Sequence, residues 1–139
     1  MARRKAVVFD CSAIVPWFLE EEASAWSERL LDGITKLDVH VPALWHLEFP
    51  NVLLIAERRG RIGSETRAGL IERAARLPLM TDSQIVSLAD ISRLAMTYNL
   101  STYDAAYLEL ALRLGARLAT QDRALIGAAH KARVALISP

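Results

Sequence analysis

The stretch from Leu100 to Asp122 most constrains the fold of this chain, because a helix pattern, a turn, a short strand and an acid follow one another there. Ser101 or Thr102 can cap the start of the helix, and Gly115 suits its C-terminus. Asp104 lies near the helix start, and Asp122 follows the strand. Two acids placed at such chain reversals can meet across one edge of a parallel sheet.

The length and charge of the chain limit the number of domains and the kinds of partner that it can have. With 139 residues, 53% hydrophobic, it can bury one substantial core, so we expect one domain over residues 1–139. The formal net charge of +1 leaves room only for a local nucleic-acid patch. Cys11 is the only cysteine, so no intrachain disulfide can form. Since no secretory signal or membrane span is recognisable, we expect a soluble cytoplasmic protein.

Short apolar segments alternate with helical patterns along the chain. Strands are predicted at residues 6–9, 39–41 and 134–137 and around residue 118, with a weaker candidate at 84–86. Because helical stretches separate these strands, the pattern predicts an α/β fold. We expect a three-layer α/β/α sandwich in which helices cover both faces of a mostly parallel sheet.

The segment after the second strand predicts a helix that begins at Pro42 and continues to about residue 59. The residues on its expected inner stripe are Leu44, Glu48, Val52 and Ile55. Glu48 interrupts this apolar face, where a carboxylate must be paired, neutralised or bound to a metal. Pro50 lacks an amide hydrogen, so we expect a kink or a break in the helix there.

Four acids can converge at one edge of the predicted sheet. Asp10 follows the first strand and Asp122 the fourth, which puts both at the carboxyl ends of parallel strands, where ligands gather. Asp104 and Glu48 lie on the helices nearby. Four carboxylates without a histidine cluster suit Mg²⁺ or Mn²⁺ better than zinc. Such a site could activate water and stabilise charge on a phosphoryl group.

Each of these acids also has a purely structural interpretation. Asp104 could be the acidic partner of Ser101 in a capping box, and Asp122 could be an ordinary helix N-cap. Asp10 could merely start a turn into the next helix. Glu48 could form a buried ion pair with an arginine.

Other reactive or charged residues give weaker signals. Cys11 has no base near it in sequence, so we interpret it as a small core thiol rather than a nucleophile. Arg58, Arg59 and Arg61 make the end of the third helix basic. Arginines there usually only solvate a helix, yet they would suit a phosphate backbone that enters the acidic site, so they are candidate RNA-binding residues.

Four segments together resemble the motifs of one known family. They are VVFDCSA at 7–13, EFPNVL at 48–53, TYDAAY at 102–107 and LATQD at 118–122. In this order and spacing they resemble the PIN-domain ribonucleases, and among them the VapC-type toxins of bacterial toxin–antitoxin pairs. The similarity covers nearly the whole chain. One departure is Pro50 directly before Asn51, because a proline there affects how Glu48 is placed.

The resemblance implies a fold, a site and a reaction. It implies a five-stranded sheet of order 3-2-1-4-5 and Mg²⁺- or Mn²⁺-dependent endonucleolytic cleavage of RNA. The residues carried over as catalytic and metal-holding acids are Asp10, Glu48, Asp104 and Asp122, with Ser12, Thr120 and Asn51 as auxiliary polar residues. The working hypothesis is that metal-activated water hydrolyses the phosphodiester and leaves a 5′-phosphate and a 3′-hydroxyl.

The resemblance also implies partners, and rival classes remain. A VapC-type toxin would have an RNA substrate, a cognate antitoxin that enters its groove, and a second copy in a homodimer, with no membrane partner. An alternative is a catalytically inactive PIN-like module that binds RNA or protein. A phosphatase of another α/β family would need an aspartate where Ser12 stands. A receiver domain is disfavoured because no lysine occurs between Lys36 and Lys131.

Overall fold

The computed structural model describes residues 3–139, so the first two residues of the predicted domain 1–139 lie outside it. Within this range one sheet of five strands has the order β3-β2-β1-β4-β5, and every neighbouring pair is parallel. The strands are β1 Lys5–Phe9, β2 Leu37–Pro42, β3 Leu79–Asp82, β4 Arg117–Ala119 and β5 Leu136–Ile137. The predicted α/β class and the order 3-2-1-4-5 are confirmed.

Helices cover both faces of this sheet. They are α1 Cys11–Ile14, α2 Ala25–Gly33, α3 Trp45–Arg58, α4 Ser64–Ala74, α5 Leu88–Tyr98, α6 Thr102–Leu114 and α7 Arg123–Ala132, with short 3₁₀ helices at Val15–Trp17, Glu20–Glu22 and Ile34–Lys36. Val7 and Phe9 of β1 pack with α1 to α4, whereas Val8 packs with α6 and α7. This alternation places one core on each face of the sheet. Across residues 3–139, every helix is too short or too polar to cross a membrane.

The start and continuity of α3 differ from the prediction. Pro42 is the last residue of β2, where it pairs with Asp82, and α3 begins only at Trp45. Of the kink or break predicted at Pro50, the break is wrong, because α3 runs through this residue to Arg58, and the kink stays a prediction. Phe49 on α3 is 1% exposed, and the burial of such side chains offsets the one backbone hydrogen bond that proline removes.

The buried face of α3 is displaced by one residue from the predicted stripe. Its buried residues are Trp45, Phe49, Leu53 and Ala56. The rings of Trp45 and Phe49 stack with their centroids 5.0 Å apart, so the two largest side chains set the orientation of the helix. Glu48 therefore lies half-buried at the border of this face rather than within it.

The third strand also lies elsewhere than predicted. Residues 84–86 have no regular structure, and Ile85 is 93% exposed. The strand is β3, whose Leu79 pairs with Val39 and whose Thr81 pairs with Val41. An apolar segment forms a strand only where a partner strand supplies backbone hydrogen bonds, and local pattern does not show where that partner lies.

Arg113 joins α6 to the chain that follows β3. Its guanidinium donates to Asp82 at 2.8 and 3.0 Å, to Glu109 at 2.7 and 3.0 Å and to Gln84 at 3.3 Å. These hydrogen bonds lower the pKa of the Asp82 carboxyl. The Arg113 side chain is only 25% exposed, so this network is shielded from water.

We expect Arg113→Ala to lower the free energy of unfolding by ~2 kcal/mol, because two partly buried carboxylates lose their charged donor. The matched control is Arg93→Ala, which removes an ion pair with Asp90 whose side chains are 71% and 63% exposed. That change should lower it by less than ~0.5 kcal/mol. Urea unfolding measures both values, and equal losses in the two variants would contradict the prediction.

Candidate active site

Asp10 is the buried centre of the polar site at the end of β1, with 5% of its surface exposed. Its carboxylate accepts hydrogen bonds from the Ser12 hydroxyl at 2.7 Å, the Thr120 hydroxyl at 2.7 Å and the Ala13 amide at 3.2 Å. The last bond caps α1, so Asp10 does start the next helix as its structural interpretation supposed. Burial raises the pKa of Asp10 to about 6, and the carboxylate of Asp122 adds to the rise.

The segment after β4 supplies the other side of this site. Phe9 pairs with Ala119, which brings the ends of β1 and β4 side by side. The hydroxyl of fully buried Thr120 accepts from the Asp122 amide at 3.0 Å. Asp122 is the N-cap of α7, where its carboxylate accepts from the Leu125 amide at 2.9 Å. Asp122 is therefore the predicted N-cap, and it also acts electrostatically on Asp10.

Gln121 links the two strand ends and was not predicted. Its backbone amide donates to the Ser12 hydroxyl at 2.8 Å, and its side-chain Nε2 donates to the Ser12 carbonyl at 2.9 Å. The Ser12 hydroxyl can then donate only toward Asp10. The sequence signal for this role was the position of Gln121 between two site residues, Thr120 and Asp122.

Asp104 lies in the first turn of α6. The Ser101 hydroxyl accepts a hydrogen bond from the Asp104 amide at 3.1 Å, so the predicted cap is present. Burial raises the pKa of the Asp104 carboxyl, and the charges of Asp122 and Glu48 raise it further. Asp104 thus lies within the electrostatic field of two other acids of the site.

Glu48 is held by Tyr107, a residue that the sequence analysis missed. The Tyr107 hydroxyl donates to Glu48 Oε1 at 2.7 Å, and Tyr107 itself is 1% exposed. Burial and this hydrogen bond raise the pKa of the phenol, so Tyr107 acts as a donor. Tyr107 follows Asp104 by one turn of α6, so both side chains lie on one face of the helix. This spacing was the sequence signal for a role of Tyr107 in the site. The alternative ion pair with an arginine is wrong, because Glu48 forms no salt bridge within residues 3–139.

The four acids share one electrostatic property. In the described part of the chain, Asp10, Glu48, Asp104 and Asp122 form no salt bridge with any basic side chain. Carboxylates that repel one another without a counter-charge favour binding of a cation, and oxygen donors are the ligands that Mg²⁺ and Mn²⁺ prefer. No group of three or more His, Cys, Asp or Glu among residues 3–139 is already placed to hold a metal. The donor set fits a hard cation in charge and chemistry, and its side chains would have to move closer to bind one.

The remaining predicted residues lie at the margin of the site or away from it. Asn51 is exposed, one turn after Glu48 on α3. Arg58 and Arg59 are exposed at the end of α3, ~15 Å from Glu48 along the helix axis at 1.5 Å per residue. Arg61 pairs with Glu21, which neutralises part of its charge.

Cys11 lies beside Asp10 but is not poised as a nucleophile. Burial raises the pKa of its thiol to about 12, and the carboxylates of Glu48, Asp10 and Glu22 contribute to the rise. A thiol at this pKa is neutral at pH 7 and unreactive. This agrees with the interpretation of Cys11 as a structural thiol.

Comparison with known proteins shows to which family the chain belongs. The sequence pattern of the PIN domain matches residues 7–131, a range that includes all four acids. The chain belongs to the PIN-domain family. It is 32% identical over 121 residues to Ribonuclease VapC3 of Pyrobaculum aerophilum, across 86% of this chain and 91% of that protein. This similarity makes it a VapC-type member of the PIN-domain family.

Solved structures share the fold of this PIN domain. PAE2754 from Pyrobaculum aerophilum superposes with a TM-score of 0.69 and 22% identity, over 91% of this chain and 87% of that one. FitAcB from Neisseria gonorrhoeae superposes with a TM-score of 0.66 and 17% identity, over 94% and 95% of the two chains. At these identities the likeness concerns the fold alone.

Proposed function

We propose that this PIN-domain protein is a Mg²⁺- or Mn²⁺-dependent endoribonuclease and the toxin of a toxin–antitoxin pair. The observation that carries the proposal is the cluster of four acids where β1 and β4 end, which have no basic partner within residues 3–139: Asp10, Glu48, Asp104 and Asp122. The similarity to a protein named Ribonuclease VapC3 supports RNA as the substrate.

The four acids would hold the cation and orient the substrate around it. Ser12 and Thr120 keep the Asp10 carboxylate in one orientation, and Tyr107 does the same for Glu48. When bound, a divalent cation supplies positive charge that lowers the pKa of water and offsets negative charge on the scissile phosphate. These hydrogen bonds orient two of the four carboxylates in advance, so the approach of the acids to the cation involves mainly the other two.

The proposed partners follow from the same assignment. Arg58 and Arg59 would contact the RNA backbone at a distance from the scissile phosphate, and Arg61 less so because Glu21 pairs with it. A cognate antitoxin would enter the acidic groove, where its basic side chain would pair with carboxylates that have no basic partner in the described part of the chain. Homodimer formation and a cytoplasmic location stay predictions.

The test is cleavage of total cellular RNA by the purified protein with Mg²⁺ or Mn²⁺. We expect discrete fragments that carry 5′-phosphate and 3′-hydroxyl ends. Fragments that end in a 2′,3′-cyclic phosphate would refute hydrolysis by activated water. RNA that stays intact while it binds the protein would favour the alternative of an inactive RNA-binding PIN module.

We expect Tyr107→Phe to reduce cleavage about tenfold, because Glu48 loses the hydrogen bond that the Tyr107 hydroxyl donates to it. The variant should also need more Mn²⁺ to raise the thermal unfolding midpoint, which measures binding without reference to activity. Its matched control is Tyr103→Phe, on the same helix α6 with the tyrosine 63% exposed, and this change should alter neither value. Unchanged Mn²⁺ affinity in Tyr107→Phe would remove Tyr107 from the positioning of Glu48.

A further inference from the structure

A cavity of about 530 Å³ opens beside the acidic site. Cys11 and Ser12 line it, and Ser12 also donates to Asp10 at 2.7 Å, so the cavity adjoins the acids directly. An RNA strand with its scissile phosphate at Asp10 would therefore bring a neighbouring nucleotide to the mouth of this cavity. None of the four acids requires the cavity for the role proposed above.

The walls of the cavity suit a flat ring rather than a phosphate. Val15 and Pro16 after α1 and Val52 on α3 provide apolar surface, and the sulfur of Cys11 adds to it. Glu22 places a carboxylate at the same cavity, which repels an anionic phosphate. Single-stranded RNA is recognised by stacking of splayed bases on such surfaces and by hydrogen bonds to their edges.

The polar groups of the cavity accept hydrogen bonds. The Glu22 carboxylate has only acceptor atoms. The Gln121 side chain donates one Nε2 hydrogen to the Ser12 carbonyl at 2.9 Å, and its Oε1 can accept a hydrogen bond from a ligand. A base that meets the Glu22 carboxylate must donate a hydrogen bond to it. Adenine, cytosine and guanine can donate from an exocyclic amino group, whereas uracil presents a carbonyl oxygen in its place. The one donor of uracil, N3–H, lies between two carbonyl oxygens, which repel an approaching carboxylate.

We propose that this cavity is a specificity pocket for the nucleobase next to the scissile phosphate and that it selects bases with an exocyclic amino group over uracil. The proposal rests on the proposed function as an endoribonuclease. Glu22 is its specificity-determining residue. The pocket acts on base identity, while the acids act on the phosphate, so the two can be altered separately.

The experiment compares binding of cytidine and uridine oligoribonucleotides of equal length by fluorescence anisotropy. These pyrimidines differ where cytosine carries an amino group and uracil an oxygen, so stacking area is nearly constant. The full chain carries Asp10→Asn and is measured with Mg²⁺, so that bound RNA is not cut. We expect the cytidine oligomer to bind about tenfold more tightly, a usual size for one base contact. Adding Glu22→Gln should abolish the difference, because an amide can donate as well as accept.

The matched control is Glu20→Gln. Glu20 lies in the same 3₁₀ helix as Glu22 but lines a different cavity, with Trp17 and Arg61. This variant should keep the preference for cytidine. Equal binding of the two oligomers by the Asp10→Asn chain would overturn the proposal of a specificity pocket. A preference for cytidine that survives the added Glu22→Gln would also overturn it. Because binding is measured without cleavage, the pocket can fail while the nuclease proposal holds, and the reverse is also possible.

Discussion

Asp10→Asn is expected to lower RNA cleavage by roughly 100-fold or more without loss of the folded state. Asp10 is the most buried of the four acids, and its carboxylate is the one that accepts three hydrogen bonds from the surrounding chain. The substitution removes a negative charge where the proposed cation binds but changes the side-chain shape little. Cleavage of a labelled RNA at saturating Mg²⁺ measures the loss.

The hydrogen bonds around Asp10 can adapt to an amide. Asparagine Oδ1 can keep the bonds from Ser12 and the Ala13 amide. Its Nδ2 can donate to the Thr120 hydroxyl. The Thr120 hydroxyl can then turn its own proton towards the Ser12 hydroxyl oxygen, 3.4 Å from the Thr120 oxygen. No buried polar atom of this network is then left without a partner, so we expect the fold to be retained.

The same variant should be more stable than the wild type when a chelator is present. Burial raises the pKa of Asp10 from 3.8 to about 6, and two pKa units correspond to roughly 3 kcal/mol. Below pH ~4 both folded and unfolded chains hold this proton, so the pKa shift has no effect on stability. As the pH rises to ~6, only the folded chain keeps the proton, and the wild type loses stability. The advantage of Asp10→Asn should therefore grow from pH 4 to pH 7.

A control separates the site from a general effect of removing charge. Asp90→Asn neutralises an aspartate on α5 whose side chain is 63% exposed. This change should leave RNA cleavage unchanged. A wild-type rate of cleavage in Asp10→Asn would remove Asp10 from the site. A large fall in its thermal midpoint would instead show that the carboxylate serves folding.

Chelation of divalent cations is expected to abolish cleavage, and added Mg²⁺ or Mn²⁺ is expected to restore it. The four acids have no basic partners within residues 3–139, so without a cation their repulsion is uncompensated. A cation that binds only the folded chain also stabilises it, by about 2.7 kcal/mol at one hundred times its dissociation constant. Thermal unfolding with increasing Mn²⁺ should therefore show a rising midpoint.

Asp104→Ala tests whether this stabilisation comes from the site. Asp104 lies in the field of Asp122 and Glu48, so its removal should weaken Mn²⁺ binding and cleavage together. Asp90→Asn again serves as the control and should keep the full rise in midpoint. Cleavage that persists in EDTA would refute metal dependence, even if the four acids are essential.

Several features were predictable because they depend on neighbours in sequence. Asp10 follows the apolar run of β1, so it lies at a strand end in any parallel arrangement. Ser101 and Asp122 cap helices because their side chains reach backbone amides three residues ahead. The order of strands was not predictable from periodicity and came from the family resemblance of the four motifs.

The tertiary structure decided what depends on packing between distant segments. The buried face of α3 moved by one residue because Trp45 and Phe49 bury more surface than the predicted stripe. The Tyr107–Glu48 bond joins residues 59 positions apart, so it depends on how α3 and α6 pack together.

The sequence by itself determined which residue types end the strands and begin the helices, since these choices follow from backbone geometry and local hydrogen bonds. Only the tertiary structure decided the register of β1 against β4, in which Phe9 pairs with Ala119, and the contacts of Thr120 and Gln121 with Asp10 and Ser12. The physical reason is that these contacts join segments more than a hundred residues apart, which local patterns do not encode.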